Sequence, residues 1–148
     1  MKRLLANNTG YAMVITLAFI TALGLLAAII IGVATTEKQT TFNETTHAQA
    51  FYSADAGGEA AINWLRFQNT PPPEVDNAAH VYVPTGYTPL TSNNDYRYDI
   101  AYQGKQYRPG WSHHYKDFRY QIQSDGASTQ NSEAAVEVQA LRLYREGY

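Results

Sequence analysis

Residues Tyr11 to Ala34 form the stretch YAMVITLAFITALGLLAAIIIGVA, and these 24 uncharged, mostly apolar residues decide the architecture of the chain. A helix of about 20 residues crosses a bilayer core of roughly 30 Å, so the stretch is long enough to span a membrane. No charged side chain occurs from Leu4 to Thr36, and Lys2 and Arg3 precede that segment. By the positive-inside rule these two cations stay in the cytoplasm and the rest of the chain lies outside.

Composition limits the classes of function that the chain can have. Of its 148 residues, 45% are hydrophobic and 16% are charged, whereas about 25% charged residues is usual for a soluble domain. The formal charge of −2 does not favour nucleic-acid binding, which needs a basic surface. Because the chain has no cysteine, disulfides, zinc–cysteine sites and thiol catalysis are excluded. A freely diffusing enzyme is not expected.

Three interpretations of the apolar stretch remain open. A secretory signal peptide has an apolar region of about 7–15 residues; Gly32-Val33-Ala34 would serve as its cleavage site, but the stretch here is longer. A plain single-span anchor is the second interpretation. The third takes Gly10-Tyr11 as a processing site before the apolar stretch, and it requires the helix to continue beyond the membrane.

The helix is predicted to continue to Gln68. Thr35 to Gln68 contains no proline, and Pro71-Pro72-Pro73 then ends the helix, since proline removes a donor and clashes with the preceding turn. Apolar or small residues at spacings of three and four predict one packed helical face; they are Phe51, Ala54, Gly58, Ile62 and Leu65. From Tyr11 the helix would be about 87 Å long at roughly 1.5 Å per residue, too long for residues 69–148 to bury.

Small residues recur within the apolar half of this helix. Gly24, Ala28 and Gly32 are spaced by four and share one face, and small residues at this spacing let helices approach closely in an apolar medium. Chance in an Ala/Gly-rich span is the alternative explanation. Thr16 and Thr21 are predicted to bond their hydroxyls to backbone carbonyls one turn back.

These amino-terminal residues resemble a type IV pilin precursor. In that family a prepilin peptidase removes a short basic leader that ends in glycine, and the aromatic residue that follows becomes an N-methylated amino terminus. Met1 to Gly10 resembles the leader, and Tyr11 to Ile20 resembles the start of the hydrophobic half of the pilin helix. The resemblance implies cleavage after Gly10 and methylation of Tyr11.

One branch of the family, the PilX-type minor pilins and pilus assembly proteins, is the most similar. Its Ala-rich block resembles Ala48-Gln-Ala-Phe-Tyr-Ser-Ala-Asp-Ala-Gly-Gly-Glu-Ala-Ala-Ile-Asn-Trp-Leu65, with Asp55 where a glutamate is common. The resemblance covers residues 8–68 and is general beyond them. It implies four kinds of partner: other pilins and minor pilins through their N-terminal helices, a prepilin peptidase, the inner-membrane assembly platform and, before assembly, membrane lipid.

The fifth residue after the predicted cleavage site departs from the family. Most major pilins carry glutamate there, whereas this chain has Ile15. That carboxylate neutralises the amino terminus of a neighbouring subunit in an apolar filament core, where an unpaired charge is costly. A subunit without it pairs on one side only, which suits the end of a filament better than its repeating middle. The alternative is that Ile15 is a lipid-facing residue of an ordinary anchor.

The rest of the chain is predicted to form a small antiparallel β-sheet with one face on the helix. Alternating apolar residues predict strands at residues 81–83, 96–102, 118–124 and 134–144, the last two paired. We expect a hairpin turn at Gly104-Lys105 and a polar loop from Asp125 to Ser132. In the last of these strands, apolar residues stand mainly at even-numbered positions up to Ala140 and at odd-numbered positions from Leu141. This switch predicts either a bulge near Ala140 or a strand buried on both faces.

Residues 69–148, called the head here, form a small domain without disulfides, which has little core of its own. Phe51, Ile62 and Leu65, together with Trp64, are therefore expected to pack against the sheet and supply part of its core. Of the 12 tyrosines, 10 lie beyond residue 80. They are expected in the core and at interfaces, and an adhesive or ligand-binding face is the alternative.

No catalytic, metal or cofactor site is predicted. Trp111-Ser-His-His-Tyr115 is the most suggestive cluster, but adjacent histidines point to opposite faces of a strand. His113 with Asp117 lacks a third ligand nearby. Ser112 beside His113 does not predict a nucleophile, because catalytic triads are recognised by spatial geometry.

Four segments are predicted: a leader (1–10), a hydrophobic transmembrane or filament-core helix (11–36), the amphipathic exposed half of that helix (37–68) and a β-rich globular head (69–148). The predicted fold is α+β and type IV pilin-like. The predicted function is structural, a minor pilin that primes or tips a type IV pilus. Its precursor spans the inner membrane once, amino terminus inside and head outside, before it joins an extracellular pilus.

Other functions stay open at this stage. Within the same class, the chain is a minor pseudopilin of type II secretion or the main subunit of an atypical pilus. From another class, it is a single-span, membrane-anchored, extracytoplasmic binding protein.

Overall fold

The computed structural model describes residues 8–84 and 86–145, so the predicted leader residues 1–7 lie outside the described part. The chain divides into two compact units, Met1–Asn43 and Glu44–Tyr148. One helix, α1 (Asn8–Phe67), supplies residues to both units. In the second unit α1 packs on a five-stranded antiparallel sheet. This α+β arrangement, as in type IV pilin-like folds, confirms the predicted fold class.

The carboxyl end of α1, at Phe67, agrees closely with the predicted end at Gln68. Its interior has no proline and is rich in alanine, the strongest helix former. After Phe67 the backbone N–H of Gln68 donates to the Leu65 carbonyl at 3.2 Å. The proline run that follows cannot continue a helix, and a single 3₁₀ turn at Pro73–Val75 brings Val75 into the core.

The sheet contains three long strands and two short ones. In chain order the strands are β1 (Val81–Tyr82), β2 (Thr88–Pro89), β3 (Asp95–Tyr107), β4 (Tyr115–Ser128) and β5 (Ser132–Arg145). β1 and β2 both pair with β3 along one edge, β4 is central, and β5 forms the other edge. The predicted pairing of the last two strands is confirmed, over a longer range than expected.

The predicted hairpin turn at Gly104-Lys105 is wrong. β3 continues through both residues to Tyr107, and its register with β4 shifts between Tyr102 and Gly104. Gly104 has φ 127°, a backbone conformation that favours glycine. Gly104 therefore marks a β-bulge inside the strand. Bulges and tight turns both use glycine, which explains why the sequence predicts a turn here.

The predicted polar loop from Asp125 to Ser132 is also wrong in extent. β4 includes Asp125 and runs to Ser128, and only the 3₁₀ turn Thr129–Asn131 separates it from β5. Asn131 has φ 56° and closes that turn, a conformation that asparagine tolerates. The Asp125-Gly126 pair suggested a turn by composition, but its glycine has a packing role described below.

β5 has neither of the two features predicted for it. Its register with β4 is unbroken from Ser128↔Ser132 to Tyr115↔Arg145, so no bulge occurs near Ala140. The strand is not buried on both faces either, because Leu141 is 63% exposed. The switch from even-numbered to odd-numbered apolar positions therefore places leucines on the exposed face of β5.

The two faces of the sheet differ in burial. On the helix face, which lies against α1, alternate residues of β4 from Phe118 to Gly126 are all buried. On the opposite face, called the open face here, Arg119 and Gln123 are exposed. The core cluster comprises Ala61, Leu65, Val75, Ile100, Phe118, Tyr120, Ile122 and Tyr144.

Candidate functional site

The first part of α1 exposes an apolar surface throughout. Every described side chain from Gly10 to Thr45 is exposed, including large ones such as Tyr11 at 72% and Leu25 at 68%. Burial of one such side chain is worth about 1.5–3 kcal/mol, so this surface requires an apolar environment. By length and composition, α1 is the one helix among residues 8–84 and 86–145 that is apolar enough to cross a membrane.

The polar groups within this apolar surface are satisfied inside the helix. Thr16 Oγ1 donates to the Ala12 carbonyl at 2.8 Å, and Thr21 Oγ1 donates to the Ala18 carbonyl at 2.9 Å. Both bonds confirm the prediction from sequence. The same arrangement recurs at Thr35, Thr36 and Thr40, each bonded to a carbonyl four residues earlier. These hydroxyls need no partner from outside, which suits a surface that meets lipid or other helices.

Gly24 and Gly32 leave α1 backbone open on the predicted packing face. A methyl group added at either glycine would meet no atom within 4 Å, and Ala28 lies between them at the same spacing. Another helix would therefore find a flat strip of small residues with room for close approach. The prediction that this strip packs against other helices stays a prediction.

The predicted processing junction, Gly10–Tyr11, lies near the start of the described part of α1. A methyl group added at Gly10 would meet nothing within 4 Å, and Tyr11 is 72% exposed. Among the described residues, nothing covers this bond. That Gly10 and Tyr11 form a cleavage site stays a prediction.

Ile15 adds another apolar side chain to this surface, 40% exposed. The sequence from Leu4 to Thr36 contains no carboxylate. The described helix therefore presents no group there that could pair with an ammonium on a neighbouring subunit.

The predicted packing of three α1 side chains on the head is confirmed for two of them. Leu65 is 3% exposed and belongs to the core, and Ile62 is partly buried against it. The prediction for Phe51 is wrong: its ring is 49% exposed, and its described ring contact is with the neighbouring Tyr52. Ala50, one position earlier, is fully buried, and one residue corresponds to about 100° of helix rotation.

Small residues bring α1 onto the sheet. A methyl group at Gly126 would lie 2.2 Å from the Ala50 carbonyl oxygen and 2.2 Å from the Ala54 nitrogen. One at Gly57 would lie 2.2 Å from Ser124 Oγ. The buried positions 50, 54, 57 and 61 follow spacings of four, three and four. Ala54 and Gly58 belong to the predicted face and are buried as expected, whereas the same Ala/Gly spacing also indicates Ala50, Gly57 and Ala61.

Trp64 confirms its predicted role at the other side of the helix. Its ring stacks on Tyr82 of β1, with centroids 4.2 Å apart and planes 10° apart. Tyr82 in turn lies next to Tyr98, with ring centroids 6.5 Å apart. Several of the tyrosines thus serve the core as expected, while others, such as Tyr107 at 66% exposure, lie on the surface.

Tyr120 and Tyr144 bury their hydroxyl groups against each other, away from any other hydrogen-bond partner among the described residues. Burial raises the pKa of Tyr120 above its ordinary value, and the adjacent Tyr144 raises it further. Burial also raises the pKa of Tyr144. Both rings therefore stay neutral at physiological pH and serve the packing of the core.

The histidine cluster shows no catalytic or metal-binding geometry. His113 and His114 are exposed, with ring centroids 4.0 Å apart. Asp117, which was considered with His113 as a ligand pair, is buried and instead lies 3.6 Å from the Arg108 guanidinium. Within the described residues no three potential ligands come together around a metal position.

No family model, curated protein or solved structure matches the chain.

Proposed function

We propose that the chain is a PilX-type minor pilin, a structural subunit that primes or tips a type IV pilus. The observation that carries the proposal is α1, Asn8–Phe67. Its first part exposes an apolar surface that a membrane or a helix bundle must cover, and its last part is built into the core of a small antiparallel sheet. A plain anchor has no need for a spanning helix that also forms the core of its head.

The proposed route begins with insertion into the inner membrane, amino terminus inside and head outside. Lys2 and Arg3 set this orientation. A prepilin peptidase then cuts after Gly10, and Tyr11 becomes the methylated amino terminus. The helix leaves the lipid as other pilin helices replace it, with the assembly platform driving extrusion. Because lipid tails and apolar helices have similar polarity, this exchange has a modest free-energy cost.

The role of the subunit is structural and needs no cofactor. Gly24, Ala28 and Gly32 would allow close contact with a neighbouring helix. Ile15 would leave the neighbour's amino terminus unneutralised, so the subunit pairs on one side only. This asymmetry supports a place at the end of the filament, where one side has no neighbour.

Blocking the junction tests the proposal. In a host with a prepilin peptidase, we expect surface material from the parent chain to begin with methylated Tyr11. A Gly10→Glu variant should keep the leader, retain the mass of the precursor and stay in the membrane. Gly24→Ala, a glycine substitution away from the junction, is the control and should be processed like the parent. Parent material at the surface that still begins with Met1 would overturn the proposal.

A second experiment separates a pilus from a type II secretion system, where the chain would act as a minor pseudopilin. The tagged full-length chain is co-expressed with the minor pilins of a pilus system or with the pseudopilins of a secretion system. We expect co-purification with the pilus set. Capture by the secretion set alone would favour the pseudopilin, and capture by neither would favour the single-span anchored binding protein.

A further inference from the structure

The β5 edge of the sheet is long and has no partner strand. Its 14 residues, Ser132–Arg145, pair with β4 alone among the described strands. Native sheets usually blunt such an edge with a proline, a bulge, charged side chains or a very short strand. β5 has charges at Glu133, Glu137, Arg142 and Arg145, but it contains no proline and its register with β4 is unbroken. Its outer backbone groups are therefore available to a further strand.

Apolar surface accompanies this open backbone. Leu141 is 63% exposed on the open face. At the β5 edge a groove of about 320 Å³ runs between the end of α1 and β5, lined by residues from both faces of the strand. Its lining residues are Ile62, Leu65, Arg66, Ala140, Leu141, Arg142 and Leu143. An added strand would thus gain backbone hydrogen bonds together with apolar contacts on both faces.

The opposite edge of the same sheet carries matching residues. Val81 is 49% exposed and Val83 is 56% exposed. Val81 pairs with Ala101, which pairs with Gln121, so Val81 lies on the open face, as Leu141 does. The Trp64–Tyr82 stack lies on the helix face of this edge. Trp64 and Ile62 are two positions apart, about 200° around α1, and so flank the two opposite edges.

Strand polarity allows the two edges to join in one continuous sheet. β1 is antiparallel to β3, β3 to β4 and β4 to β5, so β1 of one copy would lie antiparallel to β5 of another in the same orientation. An antiparallel register with Val83 opposite Leu141 also places Val81 opposite Leu143. It brings Tyr82 beside Arg142, whose guanidinium donates to the Leu65 carbonyl and lies 5.2 Å from the centroid of the Tyr144 ring. A second aromatic ring beside this guanidinium is attracted to it as well.

We propose that β5 of one copy accepts the Val81–Val83 segment of a second copy, so that heads associate edge to edge. The second copy is the occupant because its free edge matches in strand polarity, in apolar residues on the open face, and in the aromatic pair that meets the groove. The contact joins two different edges, so each pair keeps one free edge of each kind. Such heterologous contacts build open chains unless the rotation closes them.

This contact involves only residues of Glu44–Tyr148. It goes beyond the proposed function, because it requires neither leader cleavage nor incorporation into a pilus. It can therefore fail while the pilin proposal stands, and the reverse also holds.

Cysteine cross-linking tests the contact, since the full-length chain has no cysteine of its own. Opposite residues on antiparallel strands have Cα atoms about 4.5–5.5 Å apart, within the roughly 4.4–6.8 Å that a disulfide spans. Two differently tagged copies, one with Val83→Cys and one with Leu141→Cys, are co-expressed in membranes and oxidised with copper–phenanthroline. Val81→Cys with Leu143→Cys checks the register in the same way.

The control pair is Val83→Cys with Gln123→Cys, whose second position is exposed in the middle of the sheet. We expect both matched pairs to cross-link at least about tenfold more than the control, equivalent to roughly 1.4 kcal/mol of preference. Yields no higher than the control would overturn the proposal. So would Leu141→Cys copies that link mainly to each other, because that indicates symmetric β5–β5 pairing.

A charge on the open face gives a second measurement. Leu141→Asp, added to the copy with Leu143→Cys, should leave the melting temperature almost unchanged, because the side chain is mostly exposed. It should lower cross-linking to Val81→Cys about tenfold, since the aspartate would face Val83. An unchanged yield in a folded protein would overturn the proposed register and the contact with it.

Discussion

At the residue scale, glycine and alanine set the distance between α1 and the sheet. Gly126 on β4 faces the backbone of α1 at Ala50 and Ala54, and Gly57 on α1 faces Ser124. A side chain at any of these contacts would push the helix away from the sheet. Interiors are packed closely enough that even one added methyl group is felt.

Two glycine substitutions should therefore have opposite effects. Gly126→Ala places a methyl group 2.2 Å from backbone atoms of α1 and should destabilise the protein by about 1–3 kcal/mol. Gly58→Ala is the matched control, because its methyl group would lie 3.6 Å from Val138 Cγ2, an ordinary contact. It should stabilise by up to about 1 kcal/mol through helix propensity. Thermal unfolding of the full-length chain in detergent measures both, and equal effects would contradict the close approach.

Alkaline pH should destabilise the head through Tyr120. The pKa of Tyr120 is raised in the folded state by burial, whereas tyrosine in an unfolded chain titrates near 10. Above about pH 10 the unfolded chain releases a proton that folded Tyr120 retains, so the free energy of unfolding falls as pH rises. Denaturant unfolding from pH 8 to 11 should show this fall, and Tyr120→Phe should reduce it. At neutral pH the variant should lose at most about 1 kcal/mol of unfolding free energy, because among the described residues the hydroxyl meets only the Tyr144 hydroxyl. An unchanged slope would contradict the assignment.

At the scale of helices and strands, the sequence predicts the elements that follow from residue periodicity. It does not predict the roles of residues that depend on tertiary contacts. The end of α1 was predictable because three prolines follow it, and strands β3, β4 and β5 because apolar residues alternate. Gly104 and Gly126 were both assigned to turns or loops, since glycine favours those structures by local conformation alone. In the structure Gly104 marks a β-bulge, and Gly126 allows β4 to approach α1 closely.

The orientation of α1 about its axis shows the same limit. The predicted stripe included Phe51 because large apolar residues usually define a buried face. Ala54, Gly58 and Leu65 of that stripe are buried as expected. The sheet meets the small residues of α1, however, so Phe51 lies on the exposed flank. Hydropathy alone could not distinguish the two faces, because both contain residues that tolerate burial.

Alanine substitutions on α1 should reproduce this difference. Leu65→Ala removes a side chain that is 3% exposed and should cost about 2–5 kcal/mol of unfolding free energy. Phe51→Ala removes a half-exposed ring and should cost at most about 1 kcal/mol. Chemical denaturation, followed by tryptophan fluorescence from Trp64 beside Tyr82, reports on both. A larger loss for Phe51→Ala would restore the original prediction.

At the scale of the whole molecule, the candidate functional site is a surface that the chain leaves uncovered. The apolar span, the small-residue strip and the junction were all visible in the sequence, because they depend on composition and spacing. The structure adds that the hydroxyls of this surface are satisfied internally and that Gly24 and Gly32 are open. What covers the surface depends on lipid and on partner subunits, neither of which a single sequence specifies.

If the chain is the pilus subunit proposed above, its position in the filament should depend on Ile15. If its place at the end follows from the missing carboxylate, Ile15→Glu should neutralise the amino terminus of a neighbour and allow the subunit into the shaft. Ile15→Gln is the matched control, being polar and of similar length but uncharged. Immunogold labelling of sheared pili should show Ile15→Glu along the shaft at least about tenfold more often than the parent, a preference of roughly 1.4 kcal/mol. Ile15→Glu labelling that stays at filament ends would contradict this role of charge neutralisation. Equal entry of Ile15→Gln into the shaft would contradict it too, because an uncharged amide cannot neutralise an ammonium.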